Sequence, residues 1–314
     1  MAERRSVAAD VLGSNPSSRP NLFPIDCSMP YEPWFRVNLP ESTLPRSSKN
    51  SQPVTASESK AASPVSAPPG IYAGTSGWAY PLWKPVFYPA KLPSKRFLEH
   101  YASQLNSVEV NYTFRAFPTA TTLAGWLAAT PAGFRFSFKA PQRITHFSRL
   151  RDCHEVVGRF VDVLEPVRAV GKLGPLLFQL PPNFKADRAL LADFLSAPAF
   201  AGPTPPMAAF EFRHESWFAE EIYAVLRLHN AALCIAESDD LRTPEVQCAR
   251  THACYRLRCS SGYTEQQIAA FAERFSELAA ERDVYVYFKH EDEPTGALNA
   301  VAFLQACADR AGNR

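Results

Sequence analysis

The chain has 314 residues, of which 46% are hydrophobic and 20% charged, so it has ample apolar material for a large core. Its 33 lysine and arginine residues nearly balance 31 aspartate and glutamate residues, which excludes recognition of nucleic acid by bulk charge but not by a local basic patch. No segment approaches the roughly 20 apolar residues that span a bilayer, and the start of the chain lacks the apolar core of a signal peptide. The seven cysteines include no CxxC pair. These features predict a cytoplasmic protein in a reducing compartment, with no membrane partner.

Residues 1–69 differ in composition from the rest of the chain, since they contain 11 of the 28 prolines and 13 serines. The apolar residues of this segment are too few to offset the entropy lost on ordering it. We therefore predict a disordered Pro/Ser-rich tail over 1–69 and one domain over 70–314. The aromatic cluster Tyr31-Glu-Pro-Trp-Phe35 is interpreted as a chance cluster in a coil, with docking on the domain or on a protein partner as the less favoured alternative.

From Ile71 onward, short β-rich runs alternate with segments of helical periodicity. The predicted strands are Ile71–Ser76, Ser107–Tyr112, Phe134–Lys139, Gly174–Leu180, Met207–Phe212, Ala232–Ala236, Ala253–Arg258 and Val284–Lys289. The predicted helices are Ser94–Gln104, Thr119–Ala129, His154–Val170, Asp187–Ser196, Phe218–His229, Thr264–Arg282 and Thr295–Ala311, with a loop-like stretch after the sixth strand. This alternation predicts the α/β class and a single (β/α)8 TIM-type barrel. An open doubly wound sheet is the alternative, but Gly74-Thr-Ser-Gly77 lacks the third glycine of a dinucleotide-binding turn.

Polar side chains follow the ends of most predicted strands, and in a barrel these ends converge on one mouth where the chemistry takes place. In Val108-Glu-Val-Asn111 and in Phe210-Glu-Phe-Arg213, the two polar residues share a face that points inward if Val and Phe face the helices. Cations outnumber carboxylates at the predicted mouth, which favours an anionic ligand. The cations are Lys139, Arg143, Arg213, Arg258 and Lys289, and the carboxylates are Glu109 and Glu211.

We predict that Glu109 or Glu211 acts as general acid/base, with His146 as the alternative proton carrier. Lys139, Arg213 and Arg258 would hold the anion. The other predicted substrate-binding residues are Thr75, Trp78, Asn111, Thr113, Gln179, His214, Trp217 and Lys289. The alternative interpretation is that Glu211 with Arg213, or Glu109 with Lys139, forms an ion pair that only stabilises the barrel.

Potential metal ligands occur near the mouth, but no HxH or HExxH spacing is present, and the cationic surroundings oppose a divalent cation. We therefore predict no cofactor and no metal site, with a divalent metal as the less favoured alternative. The GxSxG turn of serine hydrolases is also absent from the sequence.

A series of short sequence motifs, taken in chain order, extends over nearly all of the chain after residue 70. They are Gly74-Thr-Ser-Gly-Trp-Ala-Tyr80, Phe87-Tyr-Pro89, Val108-Glu-Val-Asn-Tyr-Thr-Phe114, Phe136-Ser-Phe-Lys-Ala-Pro141, Ile144-Thr-His146, Lys172-Leu-Gly-Pro-Leu-Leu-Phe-Gln-Leu-Pro-Pro182, Glu211-Phe-Arg-His-Glu-Ser-Trp217 and Val284-Tyr-Val-Tyr-Phe288. With these motifs the chain resembles the domain of unknown function 72 family, also called YecE-like. The resemblance implies a β/α barrel, which has been likened to endonuclease IV-type nucleases and xylose isomerase-like enzymes; by fold analogy alone this implies hydrolase or isomerase chemistry.

The sequence departs from the family pattern at two strand ends. Arg256-Leu-Arg-Cys259 stands where family members often have Arg-Leu-His-Gly, and Lys289-His-Glu-Asp292 replaces an Asn-rich exit. The leading hypothesis is an enzyme that acts on a phosphorylated or otherwise anionic substrate, including one derived from nucleic acid, at the C-terminal rim of the barrel. The alternatives are a non-catalytic nucleic-acid-binding module and a protein that binds protein partners through its tail.

Overall fold

A computed structural model of the chain describes residues 68–237, 241–259, 262–288 and 293–312. The predicted tail therefore lies almost entirely outside the described residues. Eight parallel strands form one sheet in the order β1-β8-β7-β6-β5-β4-β3-β2, which confirms the predicted (β/α)8 barrel. The strands are β1 (Ile71–Thr75), β2 (Ser107–Val110), β3 (Arg135–Lys139), β4 (Leu173–Gln179), β5 (Ala208–Glu211), β6 (Ala232–Glu237), β7 (His252–Leu257) and β8 (Asp283–Phe288).

Helices follow the strands and pack around the barrel. They are α1 (Phe97–Gln104), α2 (Ala120–Ala128), α3 (His154–Val163), α4 (Glu165–Ala169), α5 (Arg188–Leu195), α6 (Glu220–Leu228), α7 (Glu265–Leu278) and α8 (Thr295–Gly312). Between β6 and β7, residues 241–250 contain neither helix nor strand, as the weak periodicity there predicted. Within the described part of the chain, no helix has both the length and the apolar character needed to cross a membrane.

The differences from the predicted elements lie at their ends and have local causes. The single helix predicted over His154–Val170 is divided into α3 and α4. Pro166 has no amide proton to donate to the preceding turn, so the chain breaks at Leu164 and restarts with proline in the first turn. The strand predicted to reach Tyr112 ends at Val110, where the chain enters a 3-10 turn. This turn places the residues after β2 at the mouth of the barrel.

The core has two parts, separated by the sheet. Between the sheet and the helices, aromatic side chains dominate; Phe178, for example, stacks on Phe210 of the neighbouring strand with ring centroids 5.1 Å apart. Inside the barrel lies a smaller cluster of small and medium side chains, Leu177, Ala209, Ala232, Cys234, Ala249 and Cys254. Cys234 is fully buried in it and serves as a packing residue.

The interior changes from apolar to polar toward the carboxyl ends of the strands. Because strand side chains alternate in direction, the residue two positions after an inward-facing one also faces inward. Leu177 is thus followed by Gln179, Ala209 by Glu211, and Cys254 by Arg256. The register places Gln179 opposite Glu211 on the adjacent strand. The fold therefore brings polar residues from several strands to one level of the barrel.

The barrel closes between β1 and β2, where an isolated parallel bridge joins Ser76 to Glu109. We call this contact between β1 and β2 the seam. Immediately before β2, the side-chain amide of Asn106 makes the two hydrogen bonds to β1 that a backbone peptide group would make in a regular sheet. Its Oδ1 accepts a hydrogen bond from the Ala73 amide and its Nδ2 donates to the Ile71 carbonyl, both at 2.8 Å. One amide side chain thus satisfies two backbone groups of β1.

A tyrosine hydroxyl supports the same seam. The Tyr101 hydroxyl accepts from the Thr75 amide at 2.8 Å and donates to the Ser107 carbonyl at 2.9 Å. Between these contacts lies Gly74, where a Cβ atom would be 1.8 Å from the Ser107 carbonyl oxygen. Glycine is therefore required at this position by the close approach of β1 to β2.

Candidate functional site

At the carboxyl end of the barrel interior, Arg256 of β7 lies between two buried carboxylates. Its Nη2 donates to Glu109 Oε1 of β2 at 2.7 Å, and its Nη1 donates to Glu211 Oε2 of β5. The three side chains are at most 3% exposed. Burial alone would lower the pKa of Arg256, but the attraction of the two carboxylates outweighs it and raises that pKa. The guanidinium is therefore permanently charged and links strands on opposite sides of the barrel.

Glu211 accepts hydrogen bonds on both carboxylate oxygens. Oε1 accepts from Arg213 at 3.0 Å and from Gln179 at 3.1 Å, and Nη2 of Arg258 lies 2.9 Å from each oxygen. With Arg256 also donating to Oε2, the lone pairs of Glu211 are occupied by protein groups. This arrangement suits Glu211 to positioning the guanidinium groups rather than to accepting a proton. It also confirms the ion pair between Glu211 and Arg213.

Glu109 differs from Glu211 because only one of its two carboxylate oxygens accepts hydrogen bonds from the described residues. Oε1 accepts from Ser76 Oγ at 2.8 Å and from Arg256, whereas Oε2 is buried and has no hydrogen-bond partner among the described residues. Two residues further on, where the chain enters the turn after β2, Oδ1 of Asn111 is likewise buried and has no partner in the described part of the chain. The ion pair of Glu109 is made across the barrel with Arg256; the sequence-based alternative had proposed Lys139.

The cluster carries a net positive charge, because Arg213, Arg256 and Arg258 outnumber Glu109 and Glu211. The side chains of Arg213 and Arg258 are 23% and 11% exposed, so both are partly accessible to solvent. Arg256 is only 3% exposed and lies deeper.

A second group of predicted site residues lies at the end of β3. Lys139 Nζ lies 4.4 Å from the ring centroid of Phe114, and the Phe114 ring meets His146 edge to face at 5.1 Å. His146 lies in a single π-helical turn over Arg143–Phe147, and its Nδ1 is 2.9 Å from Thr145 Oγ1. Burial, with repulsion from Lys139 and Arg149, lowers the pKa of His146. The ring is therefore neutral at pH 7, with one of its two nitrogens unprotonated.

Three predicted binding residues are buried and bonded within the protein. Thr75 Oγ1 donates to the Gly77 carbonyl at 2.7 Å, and Thr113 Oγ1 donates to the Lys139 carbonyl at 2.7 Å. The Trp217 indole N–H donates to the Phe184 carbonyl at 2.7 Å. These side chains fix the loops after β1, β2 and β5, and the structure places none of the three on the surface of the mouth.

The remaining predicted residues have varied positions. Trp78 is half-buried against Trp126, with centroids 5.3 Å apart. His214 Nδ1 accepts from the Ser216 amide at 3.1 Å and caps the turn after β5. Lys289 lies outside the described residues.

Sequence reasoning did not select Arg256 or Ser76 as site residues. For Arg256 a signal was available, because Arg256 and Arg258 are two positions apart and so share a strand face, as Glu211 and Arg213 do. Ser76 was not distinguishable from an ordinary strand-end serine. Over residues 68–237, 241–259, 262–288 and 293–312, no group of three or more His, Cys, Asp and Glu side chains is arranged to hold a metal ion.

Comparisons with known proteins agree with this architecture. The chain is 32% identical to the UPF0759 protein YunF of Bacillus subtilis over 157 residues, which are 49% of this chain and 54% of that protein. It is 33% identical to the UPF0759 protein YecE of Escherichia coli K12 over 114 residues, 36% of this chain and 39% of that protein. The matched segments thus span about half or less of these relatives.

Two solved structures share the fold. A DUF72 family protein of Thermotoga maritima superposes with a TM-score of 0.65 at 26% identity, covering 78% of this chain and 99% of that one. A DUF72 family protein of Enterococcus faecalis gives a TM-score of 0.61 at 17% identity, covering 76% and 95%. The family model described as protein of unknown function DUF72 matches residues 72–313. Since this match covers more than half of the sequence, the chain belongs to the DUF72 family.

Proposed function

We propose that the protein is an enzyme acting on a phosphorylated or otherwise anionic substrate, including one derived from nucleic acid, at the mouth of the barrel. The observation that carries this proposal is the convergence of Arg213, Arg256 and Arg258 on Glu211, with two of the three guanidinium groups accessible. Guanidinium groups bind phosphate and carboxylate oxygens through paired, charge-assisted hydrogen bonds. Pairing with Glu211 leaves the cluster positively charged, so an incoming anion is attracted.

In this proposal Arg213, Arg258 and Lys139 hold the anion, and Gln179 and Asn111 orient the rest of the substrate. Glu109 is the favoured proton acceptor because its Oε2 has no partner among the described residues. His146 is the second proton carrier, since its lowered pKa keeps the ring neutral at pH 7 and leaves one ring nitrogen free to accept a proton. A proton acceptor beside an anion site is what both hydrolysis of a phosphate ester and isomerisation of a phosphosugar require.

The test is ligand-dependent thermal stability of the purified full-length chain with inorganic phosphate, phosphosugars, nucleotides and short oligonucleotides. A ligand at about 100 times its Kd stabilises the folded state by about 2.7 kcal/mol and raises Tm. We expect one anionic class to raise Tm in the wild type and not in Arg258→Gln. Arg310→Gln is the matched control, because Arg310 pairs with Glu273 on the outer surface. A shift that survives in Arg258→Gln, or no shift with any anion, would refute the anion site.

A second candidate function is the binding of single-stranded nucleic acid. It is favoured by Tyr112 and Phe147, which are 51% and 72% exposed after β2 and β3, close in sequence to the Lys139–Phe114 pair. Exposed rings can stack on bases while cations contact phosphates. Fluorescence anisotropy with a labelled oligonucleotide, titrated over a range of salt, tests it. Affinity that falls with salt and falls further in Phe147→Ala supports this function; absence of binding at low salt contradicts it.

A further inference from the structure

We infer that the substrate of this site is a hydroxylated anion, whose charged end meets the arginines and whose hydroxyl groups donate to Glu109 of β2 and to Asn111 in the turn after β2. This inference rests on the proposed anion site and names the chemical class of its ligand. It starts from a mismatch inside the buried cluster. Oε2 of Glu109 and Oδ1 of Asn111 are buried acceptors with no donor among the described residues.

A buried acceptor without a donor is unfavourable, and more so when it is charged. The cluster has ample donors, yet its guanidinium groups are directed to Glu211 and to Oε1 of Glu109. Nε of Arg256 and Nε of Arg258 are in turn buried donors that contact no acceptor in the described part of the chain. The site therefore holds unused acceptors at the end of β2 and unused donors at the end of β7.

A hydroxyl group matches this arrangement because it both donates and accepts. An ammonium group would donate as well, but the net positive charge of the three arginines repels it. Glu109 lies on β2 and Asn111 in the turn that follows it, and both contact Ser76: Glu109 accepts from Ser76 Oγ and Asn111 Nδ2 donates to the Ser76 carbonyl, so the two acceptors belong to one small region of the site. A ligand with at least two hydroxyl groups next to its anionic group can reach both acceptors, as a small sugar phosphate or a polyhydroxy acid does.

The different exposure of these groups determines the order in which the ligand meets them. Glu109 Oε2 and Asn111 Oδ1 are inaccessible to solvent, whereas Arg213 and Arg258 are partly exposed. The anion therefore meets the outer arginines first. As Arg258 or Arg213 turns toward it, the hydroxyl-bearing part reaches β2.

Isothermal titration calorimetry of the full-length protein tests the inference with matched probes. Methyl phosphate is compared with glycerol 3-phosphate and ribose 5-phosphate, and acetate is compared with glycerate. We expect the hydroxylated member of one series to bind at least tenfold tighter, about 1.4 kcal/mol. The phosphate series and the carboxylate series distinguish a sugar phosphate from a hydroxy acid.

Two variants locate the effect. Asn111→Ala and Glu109→Gln should each reduce the tenfold advantage, taken as the ratio of the two affinities within one variant, to threefold or less. Glu109→Gln also removes a negative charge beside Arg256, so it should strengthen the binding of plain and hydroxylated anions alike. Asn111→Ala loses one weak contact of 3.4 Å to the Ser76 carbonyl, so it keeps the test valid if Glu109→Gln folds poorly. Asn183→Ala, which alters an exposed asparagine that contacts Arg149, should keep the full advantage.

Equal affinity for the plain and the hydroxylated anions would overturn the inference while leaving the anion site intact. An advantage that persists in both β2 variants would overturn it as well, since the hydroxyl groups would then contact other residues. If none of the anions binds, the anion site itself is refuted, and the inference fails with it.

Discussion

Replacing Arg256 by methionine takes a positive charge from between two buried carboxylates while keeping most of the side-chain volume. The two carboxylates are affected unequally. Glu211 keeps the hydrogen bonds from Arg213, Arg258 and Gln179, whereas Glu109 keeps only the bond from Ser76 among its contacts with described residues. Removing one partner of a buried ion pair costs about 3–5 kcal/mol, and we expect Arg256→Met to fall in this range. Domains are typically stable by about 5–15 kcal/mol, so the loss is large.

Urea unfolding followed by tryptophan fluorescence measures this loss, because Trp83 and Trp217 are fully buried and report on unfolding. The control is Arg96→Met, which removes an exposed ion pair with Glu99 and should cost less than about 1 kcal/mol. Adding Glu109→Gln to Arg256→Met replaces the buried carboxylate that has lost its counter-charge with a neutral amide. This should restore at least about 1.5 kcal/mol of the free energy of unfolding. A cost below about 1 kcal/mol for Arg256→Met, or no recovery in the double variant, would refute this account.

Three further predictions concern the contact between β1 and β2 and the buried side chain of His252. Asn106→Leu should cost about 2–4 kcal/mol in urea unfolding, because it leaves two backbone groups of β1 unsatisfied. Gly74→Ala should cost at least as much, since its Cβ would lie 1.8 Å from the Ser107 carbonyl oxygen; a Tm within about 2 °C of wild type would contradict the close approach. Burial lowers the pKa of His252 to about 4, so stability should be full above about pH 6.5 and decrease by roughly 3 kcal/mol as the pH falls to 4; His252→Gln should remove that part of the pH dependence measured by urea unfolding.

The barrel could be predicted from the sequence because its strands are short, β-rich and regularly separated by helical periods. The same alternation correctly placed Glu109 with Asn111, and Glu211 with Arg213, on inward faces. The partner of Glu109 was not predictable in this way, since Arg256 lies 147 residues further along the chain. The stagger of the strands and the closure of the barrel determine which inward-facing residues contact each other across the interior. Local sequence periodicity predicts neither of them.

The loop residues were the least predictable part of the site. Thr113 and Trp217 also lie in the segments just after their strands, but further along than Asn111 and Arg213, and they bond with backbone carbonyls. The direction of such a side chain is set by the turn that follows the strand. Aromatic and hydroxyl side chains at strand ends are therefore weaker indicators of a binding site than paired charges on one strand face.

The joining of β1 to β2 through Asn106 and Tyr101 means that the ring of strands is secured at this seam largely by side chains. Without them, the barrel becomes an open sheet with two edge strands. Exposed edges carry unpaired N–H and C=O groups that can pair with a second molecule. Loss of Asn106 therefore exposes the protein to edge-to-edge association between copies, so the side chains that close the barrel also protect it against aggregation.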